Sequence, residues 1–417
     1  MKEMIIASSA LLLSIGMLSL GGGLQGTLLG VRSTLEGFSP STTGMIMSGF
    51  FLGYLLGAIY VPRFVQRVGH IRVFGALASI SSAAILLHPL IIHSAVWTLI
   101  RIVSGFCWAG IGVVTESWLN HNAINKTRGK LLSIYMMIQM IANGCGQLFL
   151  NTADPRGFPL FILVSVLISL ALVPILLTVA PAPHFETPSV LSLKNLYKIS
   201  PLGITGTFLV GIAHSALLGM GMVYASKAGF SIGQISLFMA LIFLGGAAFQ
   251  WPLGLLSDRY DRRQVITCVA FAASITAFVA LILPSYLPMI LLPLIFIVAG
   301  FSLPLYSLFI AHTNDHLNPD HMVAASSGLT LVLGLGTTIG PVAAGYFMEA
   351  LGAGGFFTFL IIVHGLIGIF ALYRMTRREA IPLEEQKDIV PFPIRSTPVV
   401  ANLTQEIADT PKQTGVS

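Results

Sequence analysis

Charge is what this chain has least of. Only 9% of its 417 residues are Asp, Glu, Lys or Arg, while 55% are hydrophobic before 42 glycines are counted. A soluble domain carries about 25% charged residues, so too little polar surface exists here to cover a water-soluble fold of this length. Cysteine is scarce too. Cys107, Cys145 and Cys268 stand alone inside apolar runs, which excludes a disulfide framework and any metal-ligand spacing and predicts small packed side chains. No glycine loop leads into a Lys-Ser/Thr pair to cradle phosphate, and no serine sits in a nucleophile elbow. Paired catalytic groups are missing, so neither an enzyme, nor direct use of ATP, nor a resident cofactor is expected.

What the chain does have is long apolar runs that reach the ~20 residues needed to cross a bilayer. They predict helices over 5–31, 41–66, 71–92, 95–120, 127–151, 157–180, 201–226, 231–257, 263–284, 287–313, 322–349 and 355–374. Ser39-Pro40 and Ser200-Pro201 fit helix starts, with serine at the cap and proline in the first turn. Lys2 ahead of an apolar stretch resembles a secretory signal, but the stretch runs too far without a small-x-small cleavage site, so it reads as a retained first helix.

The net charge of +6 is a matter of topology. Arg63, Arg67, Arg72, Lys126, Arg128, Lys130, Lys194, Lys198, Arg259, Arg262 and Arg263 all follow even-numbered helices, against Arg32, Arg156 and Lys227 in the opposite loops. Inner loops keep the Lys and Arg. Both termini are therefore expected in the cytoplasm of an inner (plasma) membrane protein, and no nucleic-acid partner is implied.

The sequence also repeats itself. Phe51-Leu52-Gly53 returns as Phe243-Leu244-Gly245, Arg67 returns as Arg259 at the same offset, and Gly105-Phe106 returns as Gly300-Phe301. The expected architecture is an all-α membrane protein whose twelve transmembrane helices form two pseudo-symmetric six-helix bundles. The first bundle covers 1–180, a cytoplasmic linker 181–199, the second bundle 200–374, and a disordered cytoplasmic tail 375–417. Parallel repeats of this kind place a substrate site between them near the midplane. Gly49, Gly53 and Gly57, and again Gly336 and Gly340, recur at the four-residue interval that lets helix backbones approach in lipid.

Between two apolar runs lies Gly254-Leu255-Leu256-Ser257-Asp258-Arg259-Tyr260-Asp261-Arg262-Arg263, with a weaker copy containing Gln66, Arg67, Gly69 and Arg72. This decapeptide resembles the inner-loop signature of the major facilitator superfamily, Gly-x-x-x-Asp-Arg-x-Gly-Arg-Arg, with Asp261 in place of the second glycine. Arg101-Ile102-Val103-Ser104-Gly105 resembles the Arg-x-x-x-Gly motif of its fourth helix. Glu116-Ser117, Arg128-Gly129-Lys130-Leu131-Leu132 and Gln250-Trp251-Pro252-Leu253-Gly254 are similar to the bacterial YcaD-like group. The resemblance covers all twelve helices and implies the major facilitator fold, with a cavity lined by helices one, four, seven and ten. It favours Gln25, Trp108, His214 and Tyr306 as lining residues, while Asn143, Gln147, Tyr224, Gln250 and Trp251 are further polar or aromatic choices.

Charges inside the spans need partners, because each costs ~2.5–3.5 kcal/mol at a helix centre. Arg101 is expected either as a structural group or as a substrate contact. Glu116 is expected to pair with Arg67 or another base, or to carry a coupled proton, a role His214 shares. The hairpin is expected to act as a conformational latch (Gly254, Asp258, Arg259, Arg262, Arg263, and Arg67, Gly69, Arg72 in the weaker copy), with Asp258 reaching the helix start near Thr127. The alternative is that these charges only anchor the loop in water. The function expected is a monomeric secondary active transporter moving a small organic solute by alternating access, with proton-coupled efflux as the finer form. A non-transporting membrane sensor or scaffold on a carrier fold is the other reading.

Overall fold

A computed structural model describes residues 2–122, 128–177, 191–283 and 288–383, together with Gln386, Ile389 and Thr397. The helices are α1 Lys2–Leu35, α2 Pro40–Val68, α3 His70–Leu87, α4 Ser94–Asn122, α5 Arg128–Leu148, α6 Pro159–Leu176, α7 Leu193–Ile199 and α8 Pro201–Lys227. They continue as α9 Ile232–Arg259, α10 Arg262–Ile282, α11 Pro288–Ser302, α12 Leu305–Asn314, α13 Pro319–Leu351 and α14 Gly355–Met375. Among the described residues, eleven segments are long and apolar enough to span a membrane, α11 and α12 together forming one of them. The one expected crossing outside this set is the fifth, α5, whose Gln139, Asn143 and Gln147 make it the most polar of the crossings. It is sheltered between α1 and α9.

Local chemistry sets the helix ends. Ser39 Oγ accepts a hydrogen bond from Thr42 N–H at 3.2 Å, and Ser200 Oγ accepts one from Gly203 N–H at 3.1 Å. Each satisfies a first-turn donor that has no intrahelical partner. Gly69 ends α2 at φ +88°, a conformation open to glycine and strained for other residues. Two expected helices differ. The third stops at Leu87 rather than at residue 92, because Pro89 has no N–H to continue the ladder. The tenth is broken at Leu303-Pro304 into α11 and α12, since a proline ring clashes with the carbonyl four residues back. The short α7 lies within the expected linker. Cys107 is buried, but Cys145 and Cys268 are exposed on their helices, so packing explains only the first.

The two halves repeat the same principal helix pairings. α1 packs on α5 and α6, α2 on α4, and α3 on α4 and α6; correspondingly α8 packs on α13 and α14, α9 on α11, and α10 on α11 and α14. Glycines make the tightest of these contacts. A Cβ at Gly53 would overlap the Ile102 carbonyl between α2 and α4, and one at Gly245 would overlap the Phe296 carbonyl between α9 and α11. Gly146 of α5 against the Leu20 carbonyl of α1 likewise matches Gly336 of α13 against the Phe208 carbonyl of α8. Across the halves, α2 meets α13, α5 meets α9, and α1 meets α8.

Candidate functional site

Helix direction divides the molecule into the side where α1 begins and α14 ends, here the terminal side, and the opposite, far side. On the far side the halves are closed. Gly44 of α2 lies against the Pro341 carbonyl of α13, Gly345 of α13 against the Pro40 carbonyl, and Gly30 of α1 against Met222 of α8. Asn151 Nδ2 donates to Ser236 Oγ at 3.1 Å across the same seam.

From the middle toward the terminal side there is a cavity of about 810 Å³, its open mouth included. Its walls are Ile15, Leu18 and Ser19 of α1, Tyr54 of α2, Trp108, Ile111, Gly112, Thr115 and Glu116 of α4, and Tyr135, Met136, Gln139, Met140 and Asn143 of α5. Phe243 of α9 reaches in from the second half. The lining is apolar and aromatic with one carboxylate, and among the described residues it has no Lys, Arg or His.

Polar order in this wall comes from the face of α5. Tyr135, Gln139 and Asn143 recur every four residues, which places them in a row on one face. Asn143 Nδ2 donates to Gln139 O at 2.8 Å, Gln139 Nε2 to the Tyr135 hydroxyl at 2.7 Å, and Tyr135 in turn to Glu116 Oε1 at 3.1 Å. The other carboxylate oxygen accepts from the Thr397 hydroxyl. Glu116 and Thr397 are both fully buried.

The expected site residues separate into those at the cavity and those elsewhere. Trp108 lines it and donates to Gln25 Oε1 at 3.3 Å, which puts Gln25 directly behind the wall. Arg101 is not in the cavity: it is buried, with its guanidinium 4.4 Å from the Phe50 ring centroid and Nη2 4.0 Å from Met47 Sδ. Glu116 does not meet Arg67, which is exposed at the end of α2. Among the described residues, α8, α11 and α12, which form the seventh and tenth crossings, contribute nothing to the lining of this cavity. His214 turns instead to the helix break, and Tyr306 bonds Thr330 Oγ1 at 2.9 Å. Gln147 meets Thr27, Gln250 donates to Ser307 Oγ at 3.0 Å, and Tyr224 stacks on Phe356. Trp251 points outward, 73% exposed.

The hairpin forms a clamp within the second half. Arg262, 1% exposed, donates to Asp315 at 2.5 Å, to Asp258 at 3.3 Å and to Ser257 Oγ at 2.9 Å. Asp261 caps α10 by accepting from Arg263 N–H at 3.0 Å and holds the Arg263 guanidinium at 2.8 Å. Arg263 then donates to the Arg378 carbonyl at 2.7 Å, and Arg378 to the Ile199 carbonyl at 3.0 Å. Burial lowers the Arg378 pKa, with Arg374 and Arg263 adding repulsion, and burial likewise holds His316 below its usual value. Thr127 lies outside the described residues. Within the described residues Asp258 is held by Arg262 at 3.3 Å and accepts from the Ile389 N–H at 3.1 Å. Ile389 also covers Gly254. In the weaker first-half copy Gln66, Arg67 and Arg72 are exposed around Gly69. Asp315 and His364 escaped sequence reasoning, because no local pattern ties a lone polar residue to a partner dozens of positions away. The α5 row was missed as well: Asn143 was named among the lining choices, but not Tyr135 or Gln139, although their four-residue spacing is the signal that could have found them.

Comparison with known proteins agrees with this architecture. The family model described as Major Facilitator Superfamily matches residues 11–232 and 203–405. The chain is 27% identical to the uncharacterized MFS-type transporter YcaD of Escherichia fergusonii over 340 residues, 81% of this chain and 86% of that one. It is 29% identical to an uncharacterized MFS-type transporter of Yersinia pestis over 308 residues, 73% and 79% of the two chains. Among solved structures, the nucleoside transporter NupG superposes with a TM-score of 0.71 at 15% identity, covering 89% of this chain and 98% of its own. A bacterial homologue of the human lysosomal transporter Spinster, inward-facing and occupied, gives 0.72 at 15% identity over 91% and 97%. These structural likenesses speak to the fold, while the family match spans both six-helix halves. The chain belongs to the major facilitator superfamily of transporters.

Proposed function

We propose that this protein is a secondary active transporter that moves a small organic solute across the inner membrane by alternating access. Residues 1–180 and 200–374 are the two moving bodies and 181–199 their connection. With the basic loops in the cytoplasm, the terminal side is the inner side and the conformation is inward-facing. The observation that carries the reading is the cavity itself: it lies on the seam, open on one side, with glycine contacts sealing the other. Trp108, Tyr54, Tyr135 and Phe243 give aromatic faces and Met136 and Met140 adaptable ones, while Glu116 is the one carboxylate among them. That chemistry suits an amphipathic solute, neutral or singly positive. Gln25 and Trp108 orient the pathway, Arg101 braces it from the far side, and Glu116 is the carboxylate through which a proton is exchanged for solute.

The clamp around Asp258 acts as a latch in the opposite conformation, where the terminal ends of the halves come together. The protein works as a monomer. Proteoliposomes test the reading: addition of a transported solute collapses an imposed pH gradient in the wild type, and Glu116→Gln abolishes that proton movement. Solute binding without any flux would overturn it and favour a membrane sensor on a carrier fold.

A further inference from the structure

Three residues that the cavity does not use meet at the middle of the second half. His214 of α8 places Nε2 3.0 Å from the Ser302 carbonyl oxygen. His364 of α14 places Nδ1 2.8 Å from the Leu360 carbonyl oxygen and Nε2 2.9 Å from Ser302 Oγ. All three are buried, none more than 2% exposed. Ser302 is the last residue of α11, immediately before Leu303-Pro304. In an unbroken helix its carbonyl would accept from the N–H four residues on; the break frees it for His214.

Carbonyl oxygens only accept, so the ring nitrogen facing each must carry hydrogen. His214 is therefore protonated at Nε2 and His364 at Nδ1. One nitrogen on each ring remains for a second proton. On His214 it is Nδ1, which is buried and has no hydrogen-bond partner among the described residues. On His364 it is Nε2, which the Ser302 hydroxyl now faces as donor. Rotation of that single O–H converts it to an acceptor, so His364 takes a second proton without losing a hydrogen bond.

Among the described residues no fixed charge competes for that proton. The helices packed on α8, α11 and α14 carry their charges near their ends: Lys2, Glu3 and Arg32 of α1, Arg63 and Arg67 of α2, Lys194 and Lys198 of the short α7, Lys227 of α8, Asp258 and Arg259 of α9, Arg262 and Arg263 of α10, Asp320 and Glu349 of α13 and Arg374 of α14, with His312 near the end of α12 and His321 near the start of α13. His364 is the titratable side chain that shares Ser302 with His214.

We propose that His214 and His364, bridged by Ser302 at the break in the tenth crossing, form a proton-uptake site that sets the angle between α11 and α12. Protonation of His364 reverses the Ser302 hydroxyl and places a cation beside His214. The strain falls on Leu303-Pro304. α12 transmits it to the terminal side, because Asp315 directly follows α12 and holds Arg262 of the clamp at 2.5 Å. A proton bound at the midplane thereby biases the latch.

This inference rests on the alternating-access reading, and one experiment separates the two. Spin labels at positions 68 and 260, on the terminal ends of α2 and α9, are placed in a background with Cys107, Cys145 and Cys268 replaced by serine. The distance between them is measured by pulsed electron resonance in lipid nanodiscs from about pH 8 to about pH 5, the range in which histidine titrates. The wild type is expected to show two distance populations whose ratio changes with pH along one transition. His364→Gln and His214→Gln each lose that pH dependence while keeping both populations, and Ser302→Ala, which retains both rings, moves its midpoint. A wild-type ratio indifferent to pH, or glutamine variants that respond like wild type, would overturn the histidine site and leave alternating access standing. A single unchanging population in the wild type, also with Asp258→Asn, would overturn the transport reading itself.

Discussion

Arg262 and Asp315 are the clearest place to test the energetics of the clamp. Their side chains are 1% and 2% exposed and 2.5 Å apart. Breaking such a pair by removing one partner costs about 3–5 kcal/mol, because the other charge stays buried without compensation, whereas replacing both with apolar groups is often neutral or better. Arg262→Met removes the cation that Asp315 holds at 2.5 Å and belongs within that range. Asp315→Asn keeps an acceptor and leaves Asp258, at 3.3 Å and 28% exposed, as a weaker partner for Arg262, so it belongs at the lower end. The double variant Arg262→Met/Asp315→Leu should recover most of the loss. The assay is reversible unfolding in mixed micelles, followed by helical circular dichroism. Single variants costing under about 1 kcal/mol would mean that the pair is solvated and that the penalty for a stranded buried charge does not apply here; a double variant as unstable as Arg262→Met would mean that the charge pairing is not the source of the loss.

Other outcomes follow from the same contacts. Gly53→Ala, whose Cβ would overlap the Ile102 carbonyl, should lower stability by about 1–3 kcal/mol through overpacking. Gly26→Ala, with nothing within 4 Å, should be tolerated in the same unfolding assay. Asp258→Asn should shift the population toward the terminal-open state, by the ~0.3–1 kcal/mol of an exposed anion at a helix terminus; an unchanged spin-label distance ratio would remove the latch. His88, just beyond the end of α3, has its pKa lowered from 6.5 to about 3 by burial and by Arg101. The unfolded chain thus binds a proton there that the folded protein refuses. Stability from this group is full above 6.5 and falls as pH drops toward about 3, by at most ~1.4 kcal/mol per pH unit. His88→Gln should flatten that part of the melting temperature profile, and a profile identical to wild type would contradict the assignment.

The crossings were legible because lipid demands unbroken apolar length, and the repeat was legible because it survives in Phe51-Leu52-Gly53 and Phe243-Leu244-Gly245. The hairpin could be recognised as a charged device from its residues, but not its partners. Arg262 selects Asp315 across a tertiary contact that no spacing encodes. Pro304 was visible in the sequence, yet a proline kinks some membrane helices and splits others, and here the Ser302 carbonyl, buried and freed from the helix ladder, is what His214 uses. His214 and Tyr306 were placed at the cavity by analogy with helices seven and ten. The cavity belongs mainly to the first half in this conformation, so the polar row on α5 outweighs them. Ile389 and Thr397 lie in a stretch whose mixed composition predicted no order at all, and their contacts with Asp258 and Glu116 depend on chain packing rather than on local pattern.

Access to the cavity wall decides the account most directly. A single cysteine at Met140→Cys, in the cysteine-free background, is challenged with a membrane-impermeant thiol reagent in vesicles of either orientation. Modification from both sides of the membrane is predicted, with conditions that favour one side protecting against the other. Reactivity from one side only, whatever the pH or the state of the Asp258 clamp, would contradict a cavity that alternates between the two faces.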